Sequence, residues 1–183
     1  MKGLITCLWF DGQAEEAAEF YVSTFPNSTI LERNPAPDAP AGSPPLTVVF
    51  CLDGRPFVAL NGGPQFNFSE AVSTQVMCET QEEVDYYWER LGDGGDESAR
   101  QCGWLKDRFG LSWQIIPVQL PALLADPDRS KATRVMQAML LTRHECRSHS
   151  AAVCASAARQ RNAAVALLQQ VSITQSAEAH TAA

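Results

Sequence analysis

A chain of 183 residues, 45% of them hydrophobic, can build one domain of ordinary size or two small subdomains sharing a core, which excludes disorder throughout. A net charge of −7 at pH 7 leaves no basic footprint for phosphate backbones, so no nucleic-acid partner is expected and a small molecule or a protein is. No apolar run approaches the roughly 20 residues of a membrane span, and no signal-peptide core follows Lys2, so the chain reads as cytoplasmic with no membrane partner.

The first element is a short apolar strand over Leu4, Ile5, Cys7, Leu8, Trp9 and Phe10, broken by Asp11-Gly12. From Ala14 the apolar residues Ala17, Ala18, Tyr21, Val22 and Phe25 recur at helical spacing, and Glu15, Glu16 and Glu19 place negative charge where the helix dipole favours it. Pro26-Asn27 ends this helix. A strand at Thr29 to Arg33, a Pro/Ala/Gly/Ser loop from Asn34 to Pro45 and a strand from Leu46 to Leu52 follow. Asp53-Gly54 is a hairpin turn signal that returns the chain through Arg55 to Leu60.

The order then repeats. Ala71 to Cys78 reads as a strand. Thr80, with Glu83 three residues later, is a capping box opening a helix that buries Val84, Tyr87, Trp88 and Leu91. Asp93-Gly94-Gly95 stops it. Strands at Gly103 to Lys106 and Leu111 to Val118 flank a turn at Asp107 to Gly110. Each half is thus strand, helix, then a run of strands, and pairing two such units would enclose a cleft with the helices outside.

Beyond Pro117, Leu123, Leu124, Val135, Met136, Met139 and Leu140 lie on helical stripes that suit packing. The last stretch is rich in alanine and reads as weakly ordered, with Ala163 to Val171 its most helical part. Residues 1–140 carry 10 basic and 19 acidic side chains, whereas 141–183 carry 4 and 2. The six cysteines contain no CxxC pair and read as small buried hydrophobes rather than a zinc cluster.

The stretches CLWFDGQAEEAAEFYVSTFPNS, RPFVALNGGPQFNFSEAVSTQVMCETQEEVDYYWERL and QCGWLKDRFGLSWQIIP, in this order, resemble the PhnB-like proteins. These are also labelled demethylubiquinone methyltransferase-like and fall within the vicinal oxygen chelate superfamily of glyoxalases, bleomycin-resistance proteins and extradiol dioxygenases. The resemblance covers roughly Gly3 to Leu140. It implies an α+β fold of two βαβββ modules, about 3–63 and 70–118; the helical extension at 121–142 is read from the apolar stripes, and the tail at 143–183 departs from the family's pattern. It also implies a homodimer and a pocket inside the sheets.

In catalytic relatives that pocket holds a divalent metal through His and Glu side chains on the first and last strands of each module. Carried over, those positions fall on Thr6, on Ala59 or Asn61, on Ser73 and on Gln114. None is a histidine or carboxylate, and hydroxyl and amide oxygens are weak neutral ligands for iron, nickel or zinc. All three histidines, His144, His149 and His180, lie past the recognisable domain. No metal and no other cofactor is therefore expected.

The same polar set suits hydrogen bonding to a small organic ligand, with Asn61, Gln75 and Gln114 each offering a donor and an acceptor. Among the strand tryptophans Trp9, Trp104 and Trp113, the first and last are the better candidates for a flat pocket wall. The expected ligand-binding set is thus Thr6, Trp9, Asn61, Ser73, Gln75, Trp113 and Gln114, with no catalytic residue assigned. The rival is a metal-dependent lyase, isomerase or dioxygenase using Glu70 or Glu79 as an unconventional carboxylate. A methyltransferase is disfavoured because Asn61-Gly62-Gly63-Pro64 is a turn, not a glycine-rich helix start that admits a cofactor. An interaction scaffold is a further option.

Overall fold

The computed structural model describes residues 3–141; the alanine-rich tail, with its three histidines, lies outside them. Contacts divide the described residues into two units, one running to Val72 and including Phe109–Leu111, the other comprising Ser73–Arg108 and residues 112–141.

The first unit runs β1 (Thr6–Phe10), α1 (Ala14–Thr24), β2 (Thr29–Asn34), β3 (Thr47–Leu52) and β4 (Arg55–Asn61). Its sheet has the order β1-β4-β3-β2, with β1 parallel to β4 and the other pairs antiparallel. The β3–β4 hairpin turns through Asp53 and Gly54, both at positive φ (46° and 74°). That is the backbone an Asp-Gly turn supplies to match the twist of the strands.

Register fixes the two faces of this sheet. Leu8, Phe10, Val48, Phe50, Phe57 and Ala59 lie on one side and are buried. Tyr21 of α1 stacks over Phe50 at 6.4 Å between ring centroids, and Phe50 over Phe57 at 5.5 Å. At the margin of the same face, Arg33 Nε donates to Glu15 of α1 at 2.6 Å and Nη2 to Glu19 at 3.0 Å. A bulge between Ile30 and Glu32 gives β2 the extra residue that brings Arg33 to this side.

The second unit holds β5 (Thr74–Cys78), α2 (Gln81–Gly92), β6 (Trp104–Lys106), β7 (Ser112–Pro117), α3 (Leu120–Leu124) and α4 (Arg129–Leu141). The capping box at α2 is complete: Glu83 N donates to Thr80 Oγ1 at 3.2 Å and the Glu83 carboxylate accepts from Thr80 N. The fold class is the mixed α+β arrangement expected, but the second sheet has three strands, β5-β7-β6.

In topology the strand equivalent to β2 is replaced by a 3-10 turn at Glu97–Ala99 and an isolated bridge between Gln101 and Trp104. The reason is local: Gly94, Cys102 and Gly103 all sit at positive φ. Between Gly94 and Cys102 the run is interrupted by the Glu97–Ala99 turn, which Asp96 opens by accepting from Ser98 N at 2.8 Å. After β7, Asp128 caps α4 by accepting from the backbone of Ser130 and Lys131. Lys131 Nζ also bonds Asp126 at 2.8 Å. Among the described residues no helix is long and apolar enough to cross a membrane.

Candidate functional site

A helix on one side of a sheet consumes the side chains facing it, so each expected site residue is judged first by the face it occupies. Within each strand that face alternates with every residue.

In the first sheet, Thr6 shares the α1 side with Leu8 and Phe10, and Ala59 and Asn61 share it with Phe57. Asn61 is committed there. Its Oδ1 accepts from Ala14 N at 2.9 Å, and its Nδ2 donates to the carbonyl of Pro45 at 2.8 Å. The residue before α1, Gln13, makes no side-chain cap, so the end of β4 satisfies an amide that the helix start leaves open.

Trp9 occupies the opposite face with Cys7, Val49, Val58 and Leu60. Its Nε1 donates to the carbonyl of Gly63 at 2.7 Å, and Phe66 meets its ring edge-on at 5.0 Å. The indole lies where a side chain on Gly62 would project. The Asn61-Gly62-Gly63 turn is thereby a seat for Trp9 as well as a connection.

In the second sheet, Trp113 lies on the α2 side with Val76, Cys78, Leu105 and Ile115. It is 1% exposed, and its Nε1 donates to Asp107 at 2.8 Å. Trp113 is spent in the core. Burial there, seconded by the Glu83 charge, pushes the Cys78 thiol up to about 11.

The opposite face carries Gln75 and Met77 of β5, Gln114 and Ile116 of β7, and Trp104 of β6. Gln114 Nε2 donates to Ser73 Oγ at 2.6 Å, and Gln75 Nε2 lies 3.4 Å from Gln114 Oε1. Three expected residues, Ser73, Gln75 and Gln114, therefore form one polar ladder. Ser112, in register with Lys106 on this side, is 1% exposed and its hydroxyl has no partner.

The positions onto which the resemblance carries the family's metal ligands do not fit a divalent ion. Thr6, Asn61, Ser73 and Gln114 carry neutral oxygens and Ala59 none, the oxygens of Asn61 and Gln114 already accept hydrogen bonds, and Thr6 and Asn61 sit on the helix side. Among the described residues no three His, Cys, Asp or Glu side chains gather closely enough to hold a metal. Asp107 accepts from Trp113, and both Glu79 and Glu70 are exposed.

A family model described as 3-demethylubiquinone-9 3-methyltransferase matches residues 2–116. The chain belongs to this family. It is the PhnB-like branch of the vicinal oxygen chelate superfamily that the sequence motifs resemble. The PhnB protein of Bacillus cereus is 31% identical, with a TM-score of 0.56 over 63% of this chain and 99% of its own. Protein PA1353 of Pseudomonas aeruginosa, 16% identical, matches in fold with a TM-score of 0.53 over 64% of this chain and 98% of its own. None of the curated proteins compared with the chain matches it.

Sequence reasoning missed Trp104 and Ser112 as neighbours of the ladder. The signal was available, because residues an even number apart on a strand share a face. Gln114 therefore selects Ser112 and rejects Trp113.

Proposed function

We propose that this PhnB-like protein binds a small organic molecule on the helix-free side of its sheets and does so without a tightly held metal ion. The observation that carries the reading is the Ser73–Gln114–Gln75 ladder. Hydrogen-bonding groups stand there on a strand face with apolar Met77 and Ile116 in the next row. Such a mixture of a few fixed polar groups and apolar surface is what small-molecule sites present. The working form is a homodimer in the cytoplasm, and light scattering of the purified chain should return twice the mass of one subunit.

Elemental analysis combined with a thermal-shift screen tests the reading. Stabilisation by an organic ligand in metal-free protein supports it. Stoichiometric iron, nickel, zinc or manganese that survives chelation would replace it with a metal-dependent lyase, isomerase or dioxygenase. The family's description favours one further assay, transfer of a labelled methyl group from S-adenosylmethionine to a phenolic acceptor. The Gly62-Gly63 turn argues for a negative result, since Trp9 already fills the space beside Gly62.

A further inference from the structure

Resting on that reading, we infer that the face of the second sheet turned away from α2 recognises a neutral, planar ligand through an amide-like edge, one bearing adjacent hydrogen-bond donor and acceptor groups. A carboxamide, lactam or ureido ring has this chemistry.

The first observation is the row that crosses the sheet. Gln75, Gln114 and Trp104 are direct register partners on β5, β7 and β6. Directly opposed residues have Cβ atoms about 5 Å apart. The indole thus lies beside the Gln114 carboxamide, with that of Gln75 one strand further on, about 10 Å away, so a planar molecule resting on the ring can reach the outer amide with its edge.

The second observation is how the ladder's hydrogen bonds are spent. Gln114 uses one amide N–H on Ser73 and its oxygen on Gln75. Gln75 keeps its own carbonyl oxygen and a second N–H, which are the acceptor and donor that another amide edge requires. Gln75 is exposed while Gln114 is half-buried. The inner amide therefore orients the outer one.

A third observation comes from Ser112, which is buried on the same side with an unbonded hydroxyl. An unsatisfied polar group in a protein interior costs free energy. Its position two residues from Gln114 places an unpaired hydroxyl on the same side of β7.

Charge selects the neutral ligand over an acid. In the second unit the described residues carry eleven Asp and Glu against seven Lys and Arg. Lys106, the cation on this face, lies near Asp96 and helps hold that carboxyl below its usual range, after the hydrogen bonds from Ser98. A carboxylate would enter a negative field with its one counter-charge shared.

The test uses the full chain and three matched probes: 2-naphthamide, 2-naphthoate and naphthalene, each titrated by thermal shift and calorimetry. The amide should bind at least 5-fold more tightly than either congener. Gln75→Leu should cost the amide about 5- to 10-fold, the loss of one or two hydrogen bonds, while leaving naphthalene unchanged. Trp104→Ala should weaken both. Equal affinities for the three probes, a preference for the acid, or indifference to Gln75→Leu would each overturn the inference. A metabolite panel run alongside separates the failures. If other small molecules stabilise the protein and the naphthamide does not, this inference falls and the binding reading stands. If nothing stabilises it, both fall.

Discussion

Gly62→Ala is the sharpest perturbation of the first unit. A Cβ at residue 62 would lie at most 2.5 Å from three carbons of the Trp9 indole, Cζ2, Cε2 and Cη2. No other strain is involved, since Gly62 is not among the glycines at positive φ. The ring must therefore move. Overpacking of this kind costs about 1–3 kcal/mol. Moving the ring also breaks the bond from Trp9 Nε1 to Gly63, about 1 kcal/mol, and the edge-on contact with Phe66, about 0.5–1.5 kcal/mol. The total is about 2.5–5.5 kcal/mol, or a drop of roughly 5–22 °C in Tm at this size. Urea denaturation followed by tryptophan fluorescence measures it. The same substitution in a Trp9→Leu background should cost less than about 1 kcal/mol, because a branched aliphatic side chain leaves that space open, and the double-mutant cycle isolates the clash. A Gly62→Ala variant within about 0.5 kcal/mol of the parent, or an equal cost in both backgrounds, would refute the reasoning.

Three other outcomes are expected. Asn61→Ala leaves the Ala14 amide and the Pro45 carbonyl without their partner, so chemical denaturation should show a loss of about 2–4 kcal/mol. In the folded protein iodoacetamide should modify exposed Cys7 well before Cys78, which is buried with its thiol raised to about 11; mass spectrometry of timed samples reads the order, and early labelling of Cys78 would contradict its packing. The Asp126 carboxyl is held below its ordinary value by hydrogen bonds from Lys131 and from the Asp128 backbone. Its contribution to stability is thus present in full above the ordinary carboxylate value and is lost as pH falls through the lowered one. Asp126→Asn should be less stable than the parent near neutrality, with the gap closing below about pH 3.8; a gap independent of pH would remove the ion pair from consideration.

The elements themselves were legible because their signals are local. The Asp53-Gly54 turn, the Thr80–Glu83 capping box and the helical spacing of Ala17, Ala18 and Tyr21 each depend on residues a few positions apart, and each appears in the structure. The cap on α1 was not legible. Gln13 and its neighbours contain no suitable side chain, and the acceptor arrives from Asn61, 47 residues away from Ala14. No pattern within a helix announces a partner on a distant strand. The three strands of the second sheet, by contrast, were legible: the residues between Gly95 and Gly103 read as a polar segment with no strand, and only the family resemblance implied a fourth.

The candidate site was only half legible, and strand parity explains which half. Ser73 and Gln75 are two residues apart and share a face; Gln114 joins them by register, and all three hydrogen-bond together. Thr6 and Trp9 are three apart on β1, and Trp113 and Gln114 are adjacent on β7, so each pair must split between the two faces of its sheet. A residue's chemistry indicates what it could bind, but its position modulo two decides whether a helix already covers it. On that rule the helix-free face of β7 takes Ser112, Gln114 and Ile116, and β6 adds Trp104 beside Gln114. Substituting Trp113 should accordingly unfold the second unit, whereas substituting Trp104 should leave it folded and change what it binds.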